Sequence, residues 1–229
     1  MTSLIKEIVA IILKYAKPER IYLYGSQVTD EAVKGSDIDI AFDDKNFTAL
    51  SLINDDIEKL STLTKIDIKN IAFTEDRFCN RVKTTGKVIY SSSKKLRAED
   101  GLYNFENALK KYTDTVIQKE EYYLKGFGDI YLDVLVKRFE FTFEMSWKAI
   151  KRYLDFAGMQ CVNPRSCFKE AYTQGLIEEE DIWLDMIEQR NLSSHIYNEF
   201  EIAGIKEKAD KYLNAFQALK EKIETRLQG

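Results

Sequence analysis

Residues 20–42 read RIYLYGSQVTDEAVKGSDIDIAF. The first five, Arg20 to Tyr24, predict a strand that stops at Gly25-Ser26. A Gly-Ser pair at a strand end lets the backbone approach a ligand closely, and it can open a helix whose N-terminal amides bind phosphate. After a gap of ten residues, Asp37 and Asp39 stand two apart in a second strand-like run that continues to Phe42. Period-2 geometry puts both carboxylates on one face and turns Ile38 and Ile40 to the other. Two carboxylates on one face suit Mg2+, which binds through carboxylates and substrate phosphates.

Working outward, further strand-like runs lie at 66–71 and 87–90, with helical patterns near 47–60 and 75–84. Ahead of them Leu4, Ile8, Ile11, Ile12 and Tyr15 fall at helical spacing. The alternation predicts a domain of strands and flanking helices over residues 1–92. Asp67, set between Ile66 and Ile68, is a third acid in a strand, either solvent-facing or aimed at a site.

Residues 93–100 are polar and read as a linker. Beyond them, Leu102, Phe105, Leu109, Tyr112 and Val116 recur at helical spacing, and a second run from Leu132 to Leu154 stops before Gly158. Asn163-Pro164 reads as an N-cap followed by a first-turn proline. Segments from about 179 to 195 and from 202 to 223 complete an all-α bundle of four to five helices over residues 101–229.

The 229 residues include 34 basic and 38 acidic side chains, a formal net charge of −4. That balance argues against a basic coat for wrapping nucleic acid, though not against a local basic site. The longest apolar run near the N-terminus, Ile8 to Leu13, is far shorter than the roughly 20 residues that span a bilayer. No membrane segment is expected, and the chain reads as cytoplasmic. Three cysteines without paired spacing exclude a disulfide framework and suggest a reducing compartment; Cys79, Cys161 and Cys167 read as buried small residues. One histidine cannot complete a structural zinc site, so imidazole chemistry has a single address, His195.

The strand, the Gly25-Ser26 pair, the ten-residue gap, the Ser36-Asp37-Ile38-Asp39 run and the later strand acid together resemble the minimal nucleotidyltransferase (MNT) domains of the polymerase-β superfamily. The resemblance covers essentially all of residues 1–90 and implies an α+β domain with a mixed sheet. It implies that Gly25, Ser26 and Ser36 bind a nucleoside triphosphate such as ATP. Asp37, Asp39 and Asp67 would form the Mg2+ site, with Asp67 also acting as general base on the acceptor hydroxyl. The sequence departs from many relatives at Gln27, where they carry Arg, and at Asp30, where they carry Gly.

The lone histidine lies in Arg190-Asn191-Leu192-Ser193-Ser194-His195-Ile196-Tyr197. Arg with His, and no metal-ligand set, can cleave a phosphodiester: His moves a proton and Arg neutralises the phosphate. The segment resembles the R-x4-H motif of HEPN domains, helical bundles that include metal-independent ribonucleases. Asn191 matches their polar residue after the Arg. Tyr197 completes R-x4-H-x-Y, as in HepT-like toxins, whose MNT partners attach AMP to the motif tyrosine. The rest of residues 101–229 is similar to nucleotidyltransferase substrate-binding proteins, with Arg138 to Lys148 in the second helix and Glu170-Ala171 in the third. The resemblance implies a homodimer whose motifs meet at the interface. The aromatics between Phe139 and Tyr153 are compatible with that, but they read first as core.

The leading expectation is an MNT–HEPN fusion that transfers AMP from ATP to a hydroxyl, with Tyr197 as acceptor. The rivals are a HEPN ribonuclease toxin acting on RNA and restrained in cis, an antibiotic-type nucleotidyltransferase acting on a small molecule, and a non-catalytic nucleotide-binding module.

Overall fold

Strand β1 (Arg20–Tyr24) is covered on both faces, and the rest of its unit is arranged to do so. The computed structural model describes residues 3–28, 36–193 and 199–229. The chain divides into two compact units, Met1–Leu96 and Arg97–Gly229.

In the first unit, β1 is flanked by β2 (Ile38–Phe42) and β4 (Lys87–Ser91), and β3 (Ile66–Asn70) forms the far edge, giving the order β3-β2-β1-β4. The pairs β1/β2 and β1/β4 are antiparallel and β2/β3 is parallel, so the sheet is mixed, as the family resemblance implied. Helices α1 (Ser3–Tyr15) and α2 (Leu50–Ile57) cover one face, where Ile8, Ile12, Ile53 and Ile57 pack on Ile21, Leu23, Ile38, Ile40 and Phe42. Helix α3 (Asp76–Thr85) covers part of the other, with Val82, Phe78 and Cys79 on Tyr22, Tyr24 and Ala41. Strand β3 stops one residue short of the expected run, because Ile71 begins a 3-10 turn and Asn70 caps it by accepting from the Ala72 amide.

The second unit is helical: α4 (Lys94–Ile117), α5 (Lys119–Leu124), α6 (Gly128–Phe156), α7 (Pro164–Thr173), α8 (Glu180–Ser193) and α9 (Glu199–Gln228). The short α5 takes the bundle to six helices among the described residues. Phe105, Tyr112, Phe139, Phe143, Tyr212 and Phe216 fill its centre. Of the aromatics between Phe139 and Tyr153, Phe139, Phe143 and Tyr153 are core, whereas Phe141 is exposed. No helix of the described residues is long and apolar enough to cross a membrane.

Two expectations need correction. Residues 94–100 are the first turns of α4 rather than an irregular linker. Their polar residues are good helix formers, and Ala98 supplies the buried contact that extends the Leu102–Phe105–Leu109 stripe backwards. Cys161 and Cys167 are buried as expected, but they are also joined in a disulfide. The chain turns back between α6 and α7, where Gly158 has φ +84° and Asn163 with Ser166 forms a capping box. That turn brings the two Cα atoms to 5.0 Å, within disulfide reach. Spacing along the chain does not reveal it.

Candidate active site on the N-terminal sheet

The sheet register places the candidate residues in rows. Tyr24 is opposite Asp39 in the antiparallel ladder, and Asp39 is opposite Asp67 in the parallel one. Directly paired residues project to the same face, so Tyr24, Asp39 and Asp67 form one row across three strands, about 4.8 Å apart from strand to strand. The next row is Tyr22, Ala41 and Lys69. Asp37 lies two residues before Asp39 and is held to Lys65 at 3.2 Å. This is the face that α3 covers only in part: apolar where Val82 meets Tyr22 and Ala41, and charged beyond.

Gly25 closes the row. It follows Tyr24 and opens a 3-10 turn, Gly25–Gln27, with φ +73°. A Cβ at this position would lie 2.2 Å from Asp39 Oδ2. Only glycine lets the backbone turn this close to the carboxylate. Gln27, where many relatives carry Arg, donates from Nε2 to the Ser36 carbonyl at 3.1 Å. It thus fixes the chain where it enters β2, just ahead of Asp37.

The charges are unevenly matched. Asp67 pairs with Lys69 at 2.9 Å, and Lys69 also sits 5.4 Å from the Phe78 ring centroid. Asp39 has no such direct ion pair among the described contacts. Burial raises its carboxyl above the usual range, and the neighbouring Asp67 and Asp37 charges raise it further. Burial likewise raises the Tyr24 phenol, against the opposing pull of the Lys69 charge. That hydroxyl is buried, on a residue only 8% exposed, with the Lys69 ammonium as its polar neighbour.

A divalent cation fits this chemistry in part. Among the described residues no group of three or more His, Cys, Asp or Glu converges as a ligand set. Mg2+ needs only one or two carboxylates when phosphates supply further oxygens. Asp37 and Asp39, two apart on one face, with Asp67 in register beside Asp39, provide them.

The second candidate group is only partly described. Arg190 and Asn191 lie in the last turn of α8. Arg190 Nη2 is 3.2 Å from Glu144 Oε1 on α6, and Glu144 also accepts from Trp147 Nε1 at 3.0 Å. His195 and Tyr197 lie outside the described residues.

The family model for polymerase beta nucleotidyltransferase matches residues 6–95, and the model for nucleotidyltransferase substrate binding protein like matches residues 100–225. Among solved structures, a Thermus thermophilus protein is 27% identical, with a TM-score of 0.44, over 55% of this chain and 99% of its own. A Haemophilus influenzae protein, described as revealing the fold of a substrate binding domain of a nucleotidyltransferase, is 23% identical, with a TM-score of 0.49, over 54% of this chain and 98% of its own. No curated protein matches significantly. The helical region makes this chain a member of the nucleotidyltransferase substrate-binding-protein-like family, and the region before it is a polymerase-β nucleotidyltransferase domain.

Proposed function

We propose that the protein is a Mg2+-dependent nucleotidyltransferase that moves AMP from ATP to a hydroxyl acceptor, and that Tyr197 is that acceptor. The row of Tyr24, Asp39 and Asp67, with Gly25 pressed against Asp39, carries this reading. The turn at Gly25–Gln27 offers backbone amides to the triphosphate, together with Ser26 and Ser36. Asp37 and Asp39 hold the cation, with Asp67 beside them. Bound there, Mg2+ supplies charge neutralisation for the attacking and leaving oxygens. Asp67 takes the proton of the acceptor hydroxyl. The acceptor oxygen bonds to the α-phosphorus as the bond to the bridging oxygen breaks, and pyrophosphate leaves. A homodimer formed through the helical unit, in the cytoplasm, accords with this reading.

The test is mass spectrometry after incubation with ATP and Mg2+. An AMP adduct mapped to Tyr197 is expected, and it should be absent from Asp37→Ala/Asp39→Ala. Wild-type protein that gains no AMP, and transfers none to added hydroxyl acceptors, would refute the proposal.

One observation favours a second reading, in which the helical unit is an RNA-cleaving toxin restrained in cis. Arg190 is engaged by a carboxylate, as a restrained phosphate-binding group would be. Growth arrest by the Asp37→Ala/Asp39→Ala chain, relieved by adding His195→Ala, would support this reading; harmless expression would remove its basis.

A further inference from the structure

On one face of the sheet Tyr24 of β1 is opposite Asp39 of β2, and Lys69 of β3 is opposite Ala41 in the next row. The two long side chains, one row apart, can lean towards each other across the short Ala41 of β2. Lys69 reaches back along its strand to Asp67 at 2.9 Å, and Phe78 of α3 backs both residues. Its ring lies 5.6 Å from the Tyr24 ring, edge to face, and 5.4 Å from the Lys69 ammonium. The pair thus stands beside the Asp39 and Asp67 carboxylates. One member is a cation already engaged by a carboxylate; the other is a buried hydroxyl whose polar neighbour is that same ammonium, which donates but cannot accept. The hydrogen of the phenol therefore meets no acceptor there. A ligand oxygen placed beside the pair would supply one.

We propose that Lys69 and Tyr24 bind a non-bridging oxygen of the nucleotide's α-phosphate, supplying a phosphate contact that Gln27 does not. This rests on the nucleotidyltransferase reading above. Without nucleotide, the Lys69 ammonium occupies Asp67. When a divalent cation and nucleotide enter, the cation takes over the charge of Asp67 and the ammonium transfers to the phosphate. Tyr24 donates its hydroxyl hydrogen to the same oxygen. No bond to carbon or phosphorus changes in this exchange, only the partners of one ammonium, one carboxylate and one hydroxyl.

The exchange predicts opposite effects of one substitution on two ligands. Lys69→Met removes the competitor for Asp67, so Mn2+ used alone as a probe should bind about fivefold tighter by electron paramagnetic resonance. The same variant should bind the non-hydrolysable α,β-methylene analogue of ATP, with Mg2+, about tenfold more weakly by calorimetry. Lys69→Arg should restore most of the analogue affinity. Tyr24→Phe should weaken the analogue about fivefold and leave Mn2+ unchanged. Lys69 is half-exposed, so its variants are expected to keep the wild-type circular dichroism. Wild-type chain that binds both ligands, with Lys69→Met lacking either of the opposite shifts, overturns the assignment alone. An unchanged Tyr24→Phe overturns the part assigned to the hydroxyl. Wild-type chain that binds neither ligand overturns the nucleotidyltransferase reading and this one with it.

Discussion

Arg190 at the end of α8 is held by Glu144 of α6, Nη2 to Oε1 at 3.2 Å, in an ion pair open to solvent on both sides. Such a pair is worth at most about 1 kcal/mol, so it restrains Arg190 without anchoring the fold. Glu144→Gln should therefore change stability by less than about 1 kcal/mol. It should strengthen binding of a fluorescent single-stranded RNA severalfold at low salt, and the gain should fade at high salt. Unchanged anisotropy curves at both salt concentrations would sink the idea that Arg190 is a restrained phosphate-binding group.

Two glycines at positive φ separate strain from function. Gly25 has φ +73° and its Cβ would meet Asp39; Gly158 has φ +84° and open space around it. Alanine at either should cost about 1 kcal/mol of backbone strain in a urea titration. Only Gly25→Ala should also displace the Asp39 carboxylate and weaken Mn2+ binding. Equal Mn2+ affinities for the two variants would show that the close approach at Gly25 has no bearing on the site.

Asn70 ties the end of β3 to the loop after β2. Its Nδ2 donates to the carbonyls of Asp44 and Phe47, both at 2.8 Å, and its Oδ1 accepts from the amides of Asp44 at 3.1 Å and Ala72 at 3.2 Å. The side chain is buried, so Asn70→Ala leaves backbone groups unsatisfied. The expected loss is about 2–4 kcal/mol, read as a fall in the denaturation midpoint. A loss below about 1 kcal/mol would mean that water replaces these bonds.

The α1–α2 contact carries a pH signature. Hydrogen bonds from Lys14, Lys59 and Tyr15 hold the Asp56 carboxyl well below its usual range. The unfolded chain, with an ordinary carboxyl near about 3.9, then binds the proton more readily. The contribution is complete above that range and is lost as the pH falls through it toward the depressed folded value. Asp56→Asn should thus melt below wild type at pH 7, with the gap narrowing steadily below about pH 4. A gap that is constant with pH would rule out this linkage.

Much of this was legible in residues 20–42. The stop at Gly25-Ser26 and the two-residue spacing of Asp37 and Asp39 gave the turn and the shared face. What escaped depends on partners distant in sequence. Asp67 could be recognised as a strand acid, but only the parallel register sets it beside Asp39. Lys69 looked like an ordinary polar strand position until that register put it two residues along the same face as Asp67. Tyr24 looked like one more apolar strand residue, because what surrounds its hydroxyl has no sequence signature. Gln27 bonds to a carbonyl nine residues away, across a stretch with no periodicity. The disulfide between Cys161 and Cys167 depends on a reversal of direction that spacing does not encode. Ala98 was lost among charged neighbours, although it is the residue that makes 94–100 helical.

Strand β3 has a sheet neighbour on one side only. Its outer backbone groups are a template on which another chain could add, and proteins guard such borders with short strands and charged side chains. β3 is five residues long and carries Asp67 and Lys69, flanked by Lys65. Asp67 and Lys69 therefore fit that guarding role as well as the chemistry proposed for them. Asp67→Ala would remove the proposed base and a charge on this border together, so light scattering belongs beside every activity measurement on that variant.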